Sequence, residues 1–278
     1  MRKQELSRER TQAGVQQERP QIIELRPNIY QFRSERPGSN IYLIKGDAKN
    51  VLIDTGTTSS FPLLKSRLSE LGLRVRDINL ILLTHEHFDH IGATAFFHQR
   101  AVVAAHSLAA NKLELQDEFV TQNKYLNAPS KPFWVDIWLE DGALIDLGNY
   151  KLRVIHTPGH TSGCICLYEP SEGLLFTGDT VFAGGTLSEI WGSGNMSDYM
   201  NSVQRLSNLK IKEIYPGHGR VSNTPDEDLP KAVEYAQTLV DDAKMFFEAF
   251  IKTRELQEKR GFLGGYWQEA QRNLQARD

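Results

Sequence analysis

A short apolar segment followed at once by a dense cluster of histidine and aspartate constrains this chain more than any other feature of its sequence. The apolar segment covers residues 78–83, and residues 84–90 read Thr-His-Glu-His-Phe-Asp-His. An apolar run of this length, bounded by polar residues, predicts a buried strand that ends where the cluster begins. Imidazole nitrogens and carboxylate oxygens are the ligands that zinc and similar ions prefer. The sequence therefore predicts a metal site at the end of a strand.

The spacing within this cluster suits two neighbouring ions. In an extended segment, side chains two residues apart share a face, so His85 and His87 can converge on one ion. A turn into a helix near His90 changes that alternation. After such a turn, Asp89 and His90 can reach a second ion beside the first.

Three later turns each supply one further candidate ligand at the end of a predicted strand. These candidates are His160, Asp179 and His218. A glycine directly precedes each of them, and glycine lets the backbone turn sharply and expose the next side chain. Together with the first cluster they make seven candidate ligands. That number is enough for two ions with three ligands each and one shared carboxylate.

Composition argues against some classes of partner without excluding nucleic acid. The chain has 278 residues and a formal net charge of -3, which gives no electrostatic case for a nucleic-acid-binding surface. No apolar stretch approaches the length of a membrane span, and the N-terminus lacks the apolar core of a secretory signal. We therefore expect a cytoplasmic protein without a membrane partner.

The two cysteines are predicted to be core residues. Cys164 and Cys166 share one face of a predicted strand, which favours two buried thiols over a disulfide.

Strand and helix patterns alternate in two runs, which predicts two packed sheets with helices outside. Residues 1–20 are polar and charged, and we expect a disordered or loosely packed N-terminal arm. A main domain is expected over residues 21–225 and a helical segment packed on it over residues 226–278. Strands are predicted at residues 28–33, 39–45, 50–54, 78–83, 101–105, 143–147, 151–156, 164–168, 174–177 and 211–215, with helices at 63–71, 90–99, 107–115, 196–206 and from 225 onward.

The sequence does not decide the roles of two aromatic-rich segments. Residues 116–139 carry five aromatic side chains and two prolines, and they suit either a wall of a substrate pocket or a cap that buries its own aromatics. The helical segment after residue 225 has an amphipathic stripe, ended by the glycines at 261, 264 and 265 and followed by a short final helix. That stripe suits packing on the domain, a homodimer contact or a cover over a cleft.

The seven candidate ligands, in this order, resemble the sequence marks of the metallo-β-lactamase superfamily. The resemblance covers roughly residues 28–225 and implies an α/β fold, a four-layer αββα sandwich with a C-terminal helical extension and a metal cleft at the edge of the two sheets. It also implies the ligand sets: His85, His87 and His160 for one metal, Asp89, His90 and His218 for the other, and Asp179 as the bridge. Position 179 is an aspartate rather than a cysteine, and in this the chain resembles the glyoxalase II-like branches of the superfamily.

The resemblance implies a binuclear hydrolase that acts on a small-molecule substrate. Two adjacent divalent ions lower the pKa of a shared water, so that a metal-bridging hydroxide can attack an electrophile. Asp89 is the expected catalytic residue, because it can orient that hydroxide or accept its proton. Zinc is our first expectation for the metal, with manganese or iron as alternatives, since such sites accept several ions.

The substrate class is narrowed by one further similarity. Residues 177–185 are similar to the corresponding stretch of glyoxalase II and its thioester-hydrolase relatives. Glyoxalase II continues with a Cys-Gly-Arg-like step, where this chain has Thr186-Leu187-Ser188, and it has a longer helical C-terminal region. Both departures argue against a glutathione thioester. We therefore expect a thioester, ester or lactone, and the sequence assigns no substrate-binding residue.

Three other functions remain open at this stage. Residues 198–202 and 214–219 are similar to lactamase-like endoribonucleases, although the near-neutral charge disfavours nucleic acid. Persulfide dioxygenases of the same superfamily use one iron, which His85, His160 and Asp179 could hold. A non-catalytic binding module would tolerate the loss of ligands, and this chain has lost none.

Overall fold

The computed structural model describes residues 22–33, 37–97, 100–123 and 131–259, with side chains up to residue 254. Several sequence predictions lie outside the described residues. They are the arm over residues 1–20, Arg36 in the turn between the first two predicted strands, Tyr125 and Pro129 of the aromatic segment, and the final short helix.

The first sheet contains seven strands in the order of the chain. They are β1 (Ile22–Arg26), β2 (Ile29–Phe32), β3 (Ile41–Lys45), β4 (Asn50–Ile53), β5 (Leu80–Leu82), β6 (Val102–His106) and β7 (Ile137–Leu139). Strands β1 to β4 pair antiparallel, whereas β4 to β7 pair parallel. The parallel half matters for the site, because the carboxyl ends of β4 and β5 lie side by side at one edge of the sheet.

The second sheet contains five strands. They are β8 (Leu144–Asp146), β9 (Lys151–His156), β10 (Ile165–Glu169), β11 (Leu174–Gly178) and β12 (Glu213–Pro216), in the spatial order β12-β11-β10-β9-β8. Only β11 and β12 are parallel. Their carboxyl ends therefore also lie next to each other.

Five α-helices complete the described part of the fold. They are α1 (Phe61–Glu70), α2 (Phe88–Ile91), α3 (Ser107–Glu114), α4 (Met196–Ser207) and α5 (Pro225–Lys259). Asn195 caps α4, since its side-chain oxygen accepts a hydrogen bond from the backbone N–H of Asp198 at 2.8 Å. None of the helices within the described residues is long and apolar enough to cross a membrane.

Three apolar clusters define four layers, which confirms the predicted sandwich. The central cluster lies between the sheets, where Ile44 and Val51 of the first sheet meet Leu167 and Phe176 of the second. An outer cluster packs α1 and α3 on the first sheet, and another packs α4 and the start of α5 on the second. Neighbouring residues of one strand thus point to different clusters, as the two-residue period of a strand requires: in β10, Leu167 faces the central cluster and Cys166 faces the helices.

Two predicted elements near the cluster are wrong in extent. The strand predicted over residues 78–83 is only Leu80–Leu82, because residues 75–77 form a 3-10 turn. The helix predicted over residues 90–99 ends at Ile91, and a separate 3-10 turn covers Thr94–Phe96. The carbonyls of His90 and Gly92 are occupied by Thr55 and Thr58, so they cannot continue a helix. Strand β1 is not predicted by the sequence pattern.

Both cysteines behave as the sequence predicts. Cys164 and Cys166 are free and buried, and burial raises the pKa of each thiol. The Cys166 thiol lies against Thr157 and the carbonyl of Thr177. Both side chains are therefore core residues of the second sheet.

We expect the Leu167→Ala variant to lose about 2–5 kcal/mol of unfolding free energy, because Leu167 is completely buried between the sheets and its removal leaves a cavity. Urea denaturation followed by circular dichroism measures this loss. Leu115→Ala is the matched control, since Leu115 is 70% exposed and its truncation should change stability by less than about 0.5 kcal/mol. Equal losses for the two variants would contradict the layered core.

Candidate metal centre

The seven sequence-predicted ligands meet at one edge of the two sheets. His85, His87, Asp89 and His90 follow β5 and enter α2, while His160, Asp179 and His218 follow β9, β11 and β12. Asn40 ties the two sheets together beneath this edge: its backbone N–H donates to Gly217 at 2.6 Å and its side-chain amide to Pro216 at 2.9 Å. The elements thus bring together side chains from four separate parts of the chain.

Three imidazoles form the first group of donors. Nε2 of His85 lies 3.1 Å from Nδ1 of His87, which in turn lies 2.9 Å from Nε2 of His160. Nitrogens bound to one tetrahedral ion at about 2.0–2.1 Å are roughly 3.3–3.4 Å apart, close to these separations. The three donor atoms therefore fit around a single cation.

A second group is formed by Asp89, His90 and His218. Nε2 of His218 lies 3.1 Å from Oδ2 of Asp89 and 3.3 Å from Nε2 of His90. Nε2 of His90 lies 3.7 Å from the same Asp89 oxygen. This group also could hold a cation.

Asp179 lies between the two groups. Its Oδ1 is 3.3 Å from Nε2 of His90, and its Oδ2 is 3.4 Å from Nε2 of His218 and 3.8 Å from Nε2 of His160. Oδ1 is buried, and among the described residues no group has the geometry to donate a hydrogen bond to it. A buried carboxylate oxygen without a donor is costly. A bound cation would remove that cost, so the donor set fits the divalent ions that this chemistry implies.

A buried carboxylate that the sequence analysis did not assign orients two of the imidazoles. Asp54, at the end of β4, accepts hydrogen bonds from the backbone N–H and the hydroxyl of Thr84, both at 2.8 Å. Its Oδ2 also lies 2.7 Å from Nδ1 of His90. Because the Thr84 hydroxyl donates to Asp54, it can accept from Nδ1 of His85 at 3.1 Å. In its neutral form each ring then presents an unprotonated Nε2 to the centre of the site.

The remaining imidazoles of the first group have other supports. Nδ1 of His160 donates to the backbone carbonyl of Glu189, and Nε2 of His87 lies 3.3 Å from the side-chain amide of Gln122.

Glu86, which lies between His85 and His87, is buried and accepts hydrogen bonds from Thr161 at 2.9 Å and from Ser193 at 3.3 Å. Burial raises the pKa of Glu86 to about 7. Glu86 thereby connects the motif to the loop that carries Glu189.

Two of the predicted glycines are required by close packing around the ligands. Gly178 has φ of 49°, and a Cβ there would approach the Thr84 side chain to 2.6 Å. A Cβ at Gly217 would lie 2.3 Å from Oδ1 of Asp179 and 2.7 Å from the His90 ring. A larger residue at Gly217 would therefore displace candidate ligands directly, and one at Gly178 would displace Thr84, which contacts His85.

The imidazoles of the site fall into two groups according to the direction in which their pKa is shifted. Burial lowers the pKa of His85, His87 and His160, so their rings stay neutral and keep a lone pair for a cation. Burial also opposes protonation of His90 and His218, but nearby carboxylates outweigh it. They raise the pKa of His90 well above its usual range and that of His218 to about 9. These two rings must release protons before they bind a cation, so cation binding weakens as the pH falls.

The cleft above these groups is open and partly aromatic. It has a volume of about 370 Å³, and its walls are formed by Pro37, Phe88, Gln122, Phe182, Ser188, Glu189 and Trp191 around His87, Asp89, His160, Asp179 and His218. Of the described part of the aromatic segment over residues 116–139, only Gln122 lines the cleft. Trp134 and Trp138 lie elsewhere and are largely exposed, whereas Phe133 is buried in the core. His106 and His156 stack on each other outside the cleft, with ring centroids 3.8 Å apart.

Comparison with known proteins identifies the family. Residues 35–218 match the metallo-beta-lactamase superfamily, so the chain belongs to this family. A metallo-beta-lactamase family protein of Thermus thermophilus superposes with a TM-score of 0.67 at 26% identity, covering 79% of this chain and 82% of that protein. BJP-1, a subclass B3 metallo-beta-lactamase of Bradyrhizobium japonicum, has the same fold, with a TM-score of 0.64 at 23% identity over 84% of this chain and 96% of that one.

Two relatives carry an activity in their names. The acyl-coenzyme A thioesterase MBLAC2 of Homo sapiens is 33% identical over 208 residues, which cover 65% of this chain and 72% of the relative. The atrochrysone carboxyl ACP thioesterase of Aspergillus fumigatus is 27% identical over 226 residues, covering 78% of this chain and 64% of the relative. Family and relatives together support a metal-dependent hydrolase.

Sequence reasoning missed the residues that support the candidate ligands. Asp54 has a local signal, because it ends a predicted strand, precedes Thr55-Gly56 and adopts φ of 59°, which is unusual for a residue other than glycine. The contact of His160 with Glu189 has no such signal, since it uses a backbone carbonyl that any residue provides.

We expect Asp54→Asn to weaken divalent metal affinity by about 10–100-fold, because it removes the charge that holds the Nε2-facing tautomers of His85 and His90. Competition with a chromophoric chelator measures the affinity. Asp77→Asn is the control, since the Asp77 carboxylate pairs with Arg74 at 3.0 Å, away from the candidate centre, and its change should leave metal affinity unchanged. Unchanged affinity in Asp54→Asn, with the fold intact, would argue against a supporting role for Asp54.

Proposed function

We propose that this chain is a binuclear metallohydrolase that cleaves small-molecule thioesters, with esters and lactones as chemically related substrates. The observation that carries the proposal is the convergence of seven histidine and aspartate side chains at one sheet edge, five of which line an open cleft. Two relatives named as thioesterases favour a thioester among the three classes.

In this proposal each of the seven side chains has a role. His85, His87 and His160 bind one ion, Asp89, His90 and His218 bind the other, and Asp179 bridges them. The close approach of the Asp179 carboxylate to His90, His160 and His218 supports its bridging role. Zinc is our first choice for both ions, with manganese or iron as alternatives.

The mechanism follows from how these residues surround the cleft. The bound ions would polarise the thioester carbonyl and lower the pKa of a water, so that hydroxide is available near neutral pH. Asp89 lies at the cleft, where its carboxylate can orient the attacking water and accept its proton. Hydrolysis breaks the bond between the acyl carbon and sulfur and yields a carboxylate and a thiol.

The walls of the cleft favour an uncharged acyl group. Phe88, Phe182 and Trp191 offer apolar surface next to the candidate ligands. None of the cleft-lining residues that the structure describes is lysine or arginine. A phosphodiester backbone needs such cations, so the cleft gives no support to the endoribonuclease alternative.

The two free, buried cysteines suit a reducing compartment such as the cytoplasm, which stays our expectation for the location.

We expect metal-loaded protein to contain about two divalent ions per chain and to hydrolyse an acyl thioester. Elemental analysis measures the metal, and release of the free thiol, detected with a thiol reagent, measures turnover. Chelation should abolish turnover, and readdition of the metal should restore it. A homologous ester and a lactone tested in parallel define the preferred class.

Two outcomes would overturn this proposal. One is the absence of turnover on thioesters, esters and lactones by protein that holds about two ions per chain. The other is about one iron per chain together with oxygen consumption in the presence of a persulfide, which would favour the mononuclear dioxygenase.

We expect Asp89→Asn to lower kcat for the thioester by about 10²–10⁴-fold, because an amide can neither accept the proton of the attacking water nor bind the second ion as a carboxylate does. Elemental analysis of the same variant separates the two effects. Glu189→Gln is the control within the cleft, since Glu189 contacts His160 through its backbone carbonyl. It should retain kcat within a few-fold, and a loss equal to that of Asp89→Asn would contradict the assignment.

A further inference from the structure

The distal part of α5 extends beyond the rest of the described fold. The helix has 35 residues, so it is about 52 Å long. Its first turns pack on the second sheet and on α4 through buried Leu229 and Ala232, and Ala236 one turn later is also buried. From residue 241 to residue 254 no side chain is fully buried by the described residues. The described residues therefore give this half of the helix little of the tertiary packing that usually stabilises a helix in water.

The exposed half nevertheless carries large apolar side chains. Phe246, Phe247, Phe250 and Ile251 are between 54% and 71% exposed, and with Ala243 they form what we call the distal stripe. At 3.6 residues per turn, Phe247 and Ile251 continue the face that Ala236 and Val240 present to α4. A groove of about 460 Å³ runs beside this face where α4 begins at Met196. Exposed apolar surface of this kind indicates an interaction site.

We propose that the distal stripe is the homodimer interface, with α5 of one copy packed antiparallel against α5 of a second copy. The charges beside the stripe support this partner. Lys244 and Glu248 lie on the same side of the helix, each two residues from Phe246, and both line the groove. A two-fold axis at Phe246 therefore brings Lys244 of one copy to Glu248 of the other, twice, as a self-complementary interface requires.

The sizes of the apolar side chains also match when the axis lies half a residue further along the helix. An antiparallel pair centred between Phe246 and Phe247 places bulky Phe250 of one helix beside small Ala243 of the other. Among the described residues, Lys244 makes an exposed contact of 3.4 Å with Asp241, and such a surface pair contributes little. Exchange of that contact for an intersubunit pair therefore costs little.

The charge pattern disfavours a membrane surface as the occupant. Helices that lie on membranes carry mainly lysine and arginine on the polar face. Here Asp241, Asp242 and Glu248 are interspersed with Lys244 and Lys252 along the exposed half. A balanced pattern of this kind suits a partner with the same balance, which a second copy supplies.

The mass of the full-length chain in solution tests the proposal. Sedimentation equilibrium should give twice the chain mass of 31.6 kDa at micromolar concentrations. The double variant Phe247→Glu with Phe250→Glu should raise the dimer dissociation constant at least about 100-fold, because it places charges in the centre of the interface. Met245→Glu is the matched control: Met245 is 65% exposed, close in sequence and on the opposite side of the helix. It should leave the dimer intact.

Exchange of the two charges tests the antiparallel arrangement itself. Lys244→Glu and Glu248→Lys should each weaken the dimer by about 5–30-fold, and the double exchange should restore it, since both intersubunit pairs are then re-formed with reversed sign. Unchanged circular dichroism spectra and melting temperatures show that each variant folds. A monomeric wild type would overturn the proposal, including the case in which residues 260–278 of the same chain cover the stripe. A dimer that tolerates the double glutamate variant would overturn it as well.

Discussion

The buried carboxylate of Asp54 is the constraint on which the candidate centre depends. It ends β4, beside the parallel strand β5, so it meets the residues that follow β5 at the same sheet edge. Three donors surround it: the backbone N–H and hydroxyl of Thr84, and Nδ1 of His90. A buried carboxylate without these donors would cost several kcal/mol. These contacts hold the turn after β5 in a conformation in which the imidazoles of His85 and His90 face the other candidate ligands.

The second sheet supplies the other three candidate ligands of the centre. Its strands deliver His160, Asp179 and His218 one at a time, each from the turn that follows a strand. Asn40 joins the sheets at this edge through Pro216 and Gly217, directly before His218. Because the two sheets contribute different ligands, the distance between them sets the geometry of the whole site. The central apolar cluster fixes that distance, so the packing of the core and the chemistry of the cleft are connected.

The sequence predicts the layers, and it points to the candidate ligands, because both have strong local signals. Seven ligand-type side chains at strand ends, in an order typical of one family, indicate the site, and alternating strand and helix patterns indicate two covered sheets. The parts that sequence does not predict depend on distant contacts. The early end of α2 follows from Thr55 and Thr58, which take the carbonyls of His90 and Gly92 from across the sheet edge. The support of His160 by Glu189 uses only the backbone, so no side chain reports it.

The same structure explains why the ligand set alone does not determine the substrate. The ligands lie on strand ends that are held by the core, whereas the cleft walls come from loops that carry Gln122, Phe182 and Trp191. The two parts are nevertheless coupled at His160. The backbone N–H of Trp191 donates to the carbonyl of His160, and the carbonyl of Glu189 accepts from its ring. Glu86 holds the same loop through Ser193. A backbone shift in this wall therefore alters both the shape of the cleft and the orientation of a candidate ligand, whereas a side-chain substitution that leaves the backbone in place alters only the wall.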